Sequence, residues 1–228
     1  MKKLVSLLTC DKSIWLYPNG FCLIDRAKSG RQQFFRYADG DILSVKAMEF
    51  FQAVASDSSE VEVVIANEPP VVVPRELYHA DDALKFVALQ FDATKVAETF
   101  ACDMEPYKLI YFLYQNEKNA LERLPFAKHI VSYWDLIHQY IHQEKHAENL
   151  IWIAEHEQYL DFYVEKKGKM MLLTRFNYVQ AEDELYYILN MKRQYRMDDV
   201  EVRILSEIHR SPLQSLAKKY LDNYLWID

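Results

Sequence analysis

Largely apolar runs from Ser13 to Tyr17 and from Phe21 to Asp25 are separated by Pro18, Asn19 and Gly20. Asn before Gly between apolar runs signals a β-hairpin, because tight hairpin turns favour residues that tolerate positive φ. A second turn at positions 28–30 leads into a third, aromatic strand over 32–37. From Asp41 the period lengthens: Leu43, Ala47, Phe50, Phe51 and Val54 recur at helical spacing behind an aspartate placed to cap the first turn. Polar residues 56–59 end that helix, and 61–66 reads as a buried strand.

The same order returns later in the chain. Residues 150–154 and 158–165 form paired strands, with Leu160, Phe162 and Val164 on one face and Tyr159, Asp161 and Tyr163 on the other, Asp161 toward solvent. Gly168 marks the next turn, 170–178 is a third strand, and a helix starts near Glu182 and uses Leu185, Ile188 and Leu189. Residues 200–205 form a fourth strand, and 212–225 a closing helix with Pro212 in its first turn. Between the units lie an extended segment at 71–74, a helix around 82–91, a strand at 109–114, and helices near Asn119 and Trp134.

Residue matches reinforce the element order. Ile14, Trp15 and Leu16 return as Ile151, Trp152 and Ile153; Phe35 and Tyr37 as Phe176 and Tyr178; Val61, Glu62, Val63 and Ile65 as Val200, Glu201, Val202 and Ile204. The offsets, 137, 141 and 139, differ by no more than loops absorb. Three antiparallel strands, a helix and another strand, written twice, is the order of ribonuclease H-like folds and of the duplicated actin, sugar kinase and Hsp70 superfamily. A ferredoxin-like tandem requires a helix after the first strand, where a hairpin stands here. The expected class is α/β with mixed sheets: a first half over 1–149 with an insertion around 67–105, and a second half over 150–228.

Composition narrows the functions. At 228 residues, 50% of them hydrophobic, the chain can bury a substantial core. A net charge of -7 argues against affinity gained by neutralising phosphates, so no nucleic-acid partner is expected. The cysteines, Cys10, Cys22 and Cys102, form neither a CxxC pair nor an even set, which points to a reducing, cytoplasmic setting. No apolar run approaches the roughly 18–20 residues of a membrane span. Lys2 and Lys3 before the apolar run 4–8 faintly resemble a secretion signal, but the run falls short of the usual ~7–15 residues and is expected to be a first strand.

Residues 175–190, with Phe176, Tyr178, Asp183, Tyr186, Tyr187 and Leu189, resemble the most distinctive segment of the bacterial domain of unknown function family 3822. Val73, Pro74, Leu77 and Tyr78 resemble its second marker, and the opening hairpin followed by Phe35 and Tyr37 is similar as well. The resemblance spans nearly the whole chain and rests on packing and turn residues. It implies an actin-like ATPase fold, distantly similar to the type IV pilus assembly actin-like proteins, and no established activity.

That superfamily binds ATP with two hairpin turns and an adenosine loop. The turns need Asp with nearby Gly and Ser or Thr, since backbone N–H groups must approach phosphate and a carboxylate must organise the hydrated metal. Here the first turn offers Asn19 and Gly20 beside a proline without an N–H, the second offers Glu155 and His156 without glycine, and no glycine follows Gly168. These four residues are the nucleotide-binding candidates if the chain is a divergent ATP-binding protein using magnesium. Otherwise they are ordinary hairpin residues, and no cofactor is expected.

Ribonuclease H-like chemistry needs carboxylates converging on two metal ions about 4 Å apart. The first strand of each unit carries no acid, which leaves Asp161 and Asp183, the latter suited to a helix's first turn. His138, His142 and His146 share a helix face; a neighbouring pair can chelate, but the outer two stand about 12 Å apart in rise and no further ligand adjoins them in sequence, so no metal site is expected. Cys102 has acidic Asp103 and Glu105 beside it, which raises a thiol pKa and disfavours a nucleophile. Trp15, Tyr17, Trp134, Tyr140, Tyr220, Tyr224 and Trp226 supply the one positive hint, since Tyr and Trp dominate interface hot spots. The expectation is a non-catalytic binding or scaffold protein for an unidentified protein or peptide; the alternative is a divergent ATPase of the same superfamily.

Overall fold

The computed structural model describes residues 2–26, 31–36, 60–124, 127–144, 146–208 and 210–227. The helix expected from Asp41 to Val54, the turn at 28–30 and Tyr37 lie outside them. Two compact units divide the chain, Lys2–Tyr140 and Ile141–Asp228.

The first unit opens with a helical turn, α1 (Lys2–Val5), where a strand was expected. Leu4, Val5 and Leu8 are buried while Ser6 is exposed, a helical rather than alternating pattern. Strands β1 (Lys12–Tyr17), β2 (Gly20–Asp25), β3 (Arg31–Arg36) and β4 (Glu60–Ile65) follow. Next come β5 (Val71–Pro74), the short helix α2 (Ala83–Val87), β6 (Val96–Met104), β7 (Tyr107–Tyr114), α3 (Gln115–Glu122), β8 (Ala127–Ser132) and α4 (Tyr133–Gln143). The main sheet runs β3-β2-β1-β4-β8, and β5, β7 and β6 make a separate three-stranded sheet. β1 pairs antiparallel with β2 and parallel with β4. Ile14, Leu16, Phe21, Leu23, Val63 and Ile65 meet Leu113 and Leu121 in the core.

The second unit repeats that sheet. It comprises β9 (Asn149–Glu155), β10 (Tyr159–Lys166), β11 (Lys169–Asn177), α5 (Ala181–Gln194), β12 (Glu201–Ser206), α6 (Pro212–Tyr220) and β13 (Tyr224–Ile227), in strand order β11-β10-β9-β12-β13. β9 is antiparallel to β10 and parallel to β12, matching β1 with β2 and β4. Asp183 caps α5 as its first-turn position suggested, accepting the Val179 and Gln180 N–H groups at 3.1 Å each. The closing helix is shorter than expected: it ends at Tyr220, and Tyr224–Ile227 joins the sheet parallel to β12. Leu225 and Trp226 follow the helical period in sequence, but the sheet edge takes their backbone groups instead. The fold is therefore mixed α/β, with one five-stranded sheet order used twice.

Alternation misleads on β10. Leu160, Phe162 and Val164 enter the core as expected, yet Asp161, Tyr163 and Glu165 on the opposite face are equally buried. Both faces of this sheet are covered, so polar residues on it must find partners inside the protein.

Candidate functional site

The two hairpins that would have to meet phosphate differ in length and in chemistry. In the first, Tyr17 pairs with Gly20, so Pro18 and Asn19 form the turn, one residue earlier than Asn-Gly suggested. Pro18 fixes its own φ near −65° and donates no N–H. Asn19 and Gly20 are not among the described residues with positive φ, which rules out the mirror-image turn expected there. That turn occurs instead between β10 and β11, where Lys167 and Gly168 have φ of 52° and 69° and join Lys166 to Lys169. Tyr17 closes the first hairpin from within, buried, with its ring 6.5 Å from Trp15 and 6.1 Å from Phe34.

The second hairpin is longer. Ala154 pairs with Asp161 and Glu155 with Leu160, and the His156 N–H donates to the Tyr159 carbonyl at 3.0 Å, leaving Glu157 and Gln158 at the tip. Matching Trp15 to Trp152 and Phe21 to Phe162 puts Asp161 at the place of Gly20. The offset between the repeats steps from 137 to 141 at this turn, so four extra residues sit at the tip of the second hairpin.

Asp161 organises those residues. Fully buried, it receives Arg175 side-on, Nε to Oδ1 at 2.7 Å and Nη2 to Oδ2 at 3.0 Å. His156 Nε2 lies 3.3 Å from Asp161 Oδ2, and His156 Nδ1 lies 2.9 Å from Glu207 Oε2. Tyr159 is sandwiched, its ring 4.4 Å from that of His156 and 4.0 Å from the Arg175 guanidinium. The Tyr178 hydroxyl donates to the His156 carbonyl. Burial alone would push the imidazole down, but Glu207 and Asp161 outweigh it and hold His156 up at about 9. Burial likewise opposes the Asp161 charge, yet Arg175 and His156 keep its carboxyl below the usual range.

Glu155 is also enclosed, accepting a hydrogen bond from the Ser211 hydroxyl. Burial, and then the neighbouring Glu155 charge, push Glu184 up to about 9, so Glu184 is protonated at neutral pH and hydrogen-bonds to Glu155. Both cations of the hairpin, His156 and Arg175, are engaged by Asp161, and Glu155 adds negative charge. Among the described residues of this hairpin, a phosphate would meet no glycine-framed N–H cradle, and both cations already face Asp161.

Other candidates resolve similarly. The expectation that Asp161 faces solvent is overturned, because Arg175 on the adjacent strand lets it lie fully buried. Asp161 and Asp183 belong to no metal-sized cluster among the described residues. Burial, with Asp135 and Asp103 adding to it, pushes the Cys102 thiol up to about 12, which leaves it protonated. Trp15, Tyr17, Trp134 and Tyr140 are core residues, while Tyr220 is exposed. The exposed apolar side chains that sequence reasoning missed include Val179 at 94% and Tyr186 at 63%, at the entrance and on the outer side of α5. No described helix is long and apolar enough to cross a membrane.

Residues 46–225 match the family described as Protein of unknown function (DUF3822). A Bacteroides thetaiotaomicron protein with an actin-like ATPase fold and unknown function superposes with a TM-score of 0.70 at 17% identity, covering 95% of this chain and 90% of that one. A PilM-PilN type IV pilus biogenesis complex superposes with a TM-score of 0.57 at 8% identity, covering 95% and 88%. At these identities the likeness establishes the actin-like ATPase fold. No curated protein sequence matches the chain.

Proposed function

The chain belongs to the DUF3822 family, and from that membership and the closed second hairpin we propose a non-catalytic binding or scaffold protein that recognises a protein or peptide partner. One observation carries this reading: the residues placed where a phosphate-gripping turn would need free donors, Glu155, His156 and Asp161, are buried and bonded to Ser211, Glu207 and Arg175. An enzyme of this fold needs that turn open. A protein that uses the fold as a shaped surface gains from having it locked.

Two features support a protein partner. The PilM-PilN structure is that of a complex between proteins. In this chain, Val179 and Tyr186 expose apolar surface within the segment 175–190 that marks the family, and an exposed Tyr is a common hot-spot residue. The competing reading, a divergent ATP-binding protein that uses Asn19, Gly20, Glu155 and His156, rests on the shared fold alone.

The test is quantitative affinity capture from the native host with the wild-type chain, Tyr186→Asp and Leu89→Asp. Leu89 is 79% exposed and lies outside the marker segment. Capture of a partner that Tyr186→Asp loses and Leu89→Asp keeps supports the reading. A partner retained equally by all three chains contradicts it.

A further inference from the structure

Glu165 on β10 is 1% exposed and sits beside two histidines, His142 in the last turn of α4 and His146 just beyond its end. Its Oε2 accepts a hydrogen bond from the Tyr163 hydroxyl at 3.0 Å. Among the described residues its ion-pair neighbours are imidazoles alone, His142 Nε2 at 3.8 Å from Oε2 and His146 Nδ1 at 4.0 Å from Oε1. A carboxylate removed from water needs compensating positive charge or hydrogen bonds, which a bound cation supplies. Ligand atoms of the three residues all lie within 4.8 Å of one another.

From this juxtaposition we propose that His142, His146 and Glu165 bind a divalent transition-metal ion, with zinc best matched to two imidazoles and one carboxylate. The sequence supplied the i, i+4 histidine pair but hid the third ligand, which arrives from a strand about twenty residues further on.

The geometry is close to what an ion requires. Two ligand atoms each ~2.1 Å from one tetrahedral ion stand ~3.4 Å apart, so the His–Glu separations of 3.8 and 4.0 Å must shrink by about half an ångström and any pair near the 4.8 Å bound by up to ~1.4 Å. His142 can make that adjustment, because its side chain is 44% exposed at the end of α4. Tyr163 supplies the outer hydrogen bond that orients a ligating carboxylate. On His146 the ion displaces the contact of Nδ1 with the Ala147 carbonyl at 2.8 Å. With three protein ligands, the remaining coordination falls to water. Zinc would then fasten His142 and His146 to β10, and the proposal stands whether or not a protein partner is found.

A second cluster provides an internal control. Cys10, Glu60 and His129 also bring ligand atoms within 4.8 Å, but Glu60 and His129 are exposed, and the buried Glu62 beside Cys10 already accepts hydrogen bonds from the Thr9 and Cys10 N–H groups and the Thr9 hydroxyl. The experiment titrates the metal-free full chain with zinc chloride, and with cobalt chloride to read the visible bands of tetrahedral cobalt. The wild type should bind zinc at low micromolar concentration or tighter. His142→Ala, an exposed substitution, should weaken that binding at least ~10-fold and abolish the cobalt bands, while His129→Ala leaves both intact. No zinc bound by the wild type, full binding by His142→Ala, or loss confined to His129→Ala would each overturn the proposal.

Discussion

The two hairpins occupy equivalent places in two sheets of identical strand order, yet their tips are closed by opposite means. The first is short and apolar: Pro18 and Asn19 make the turn, and Tyr17 packs against Trp15 and Phe34. The second carries four more residues and is ionic, with Asp161 standing where the first unit has Gly20. On the proposed reading, neither hairpin is built to grip phosphate, the first because it is short and apolar and the second because charges that satisfy one another fill the place. The ionic version makes the second hairpin sensitive to substitution and pH; the apolar version gives the first hairpin no titrating group at its tip.

The largest expected effect is at Asp161. Asp161→Ala leaves Arg175 and His156 buried without their shared partner, a loss of about 3–5 kcal/mol in urea unfolding. If the variant loses less than about 1 kcal/mol, the network does not hold the hairpin.

The next is pH. His156 has its folded pKa raised to about 9, so its stabilising contribution is whole below its ordinary value of ~6.5 and lost as pH rises through 9. Glu184, also raised to about 9, stays protonated in the fold while the unfolded chain ionises near ~4.3, which lowers stability steadily as pH rises from ~4.3 to 9. Asp161 acts oppositely: its depressed pKa contributes above ~3.9 and is lost on acidification. Stability measured by urea unfolding should be highest near pH 4–5 and fall by about 3 kcal/mol or more toward pH 9. A profile flat from pH 6 to 9 would contradict the ionic account.

Glu184→Gln sharpens the point, since an amide keeps a donor for Glu155 without a proton to lose. It should be near neutral at pH 5 and stabilising by about 1–3 kcal/mol at pH 9. In the first hairpin, Pro18→Ala should change stability by less than ~1 kcal/mol at every pH, through the unfolded chain alone. A pH-dependent effect there would erase the contrast between the hairpins.

The repeat was legible in sequence because β1, β4, β9 and β12 are dense apolar runs whose order survives without knowledge of contacts. What sequence missed required register or tertiary neighbours. Asp161 reads as a solvent residue on an alternating strand until Arg175, fourteen positions away, is placed across the β10/β11 ladder. The first turn was displaced by one residue because Asn-Gly is a strong local signal, whereas the pairing of Tyr17 with Gly20 puts Pro18 in the turn. β13 was hidden because Tyr224 to Ile227 continues a helical period until β12 claims it. Glu165 gave no sign in sequence of neighbouring His142 and His146.

The most direct test of the central claim, that closed hairpins leave no nucleotide grip, is isothermal titration of the full chain with ATP and magnesium, with a thermal unfolding scan of the same samples. A site occupied at a hundredfold excess over Kd would stabilise the fold by about 2.7 kcal/mol. The account predicts no saturable heat at high-micromolar protein and no shift in the unfolding midpoint. Saturable one-to-one heat that requires magnesium, with a matching rise in the midpoint, would contradict it.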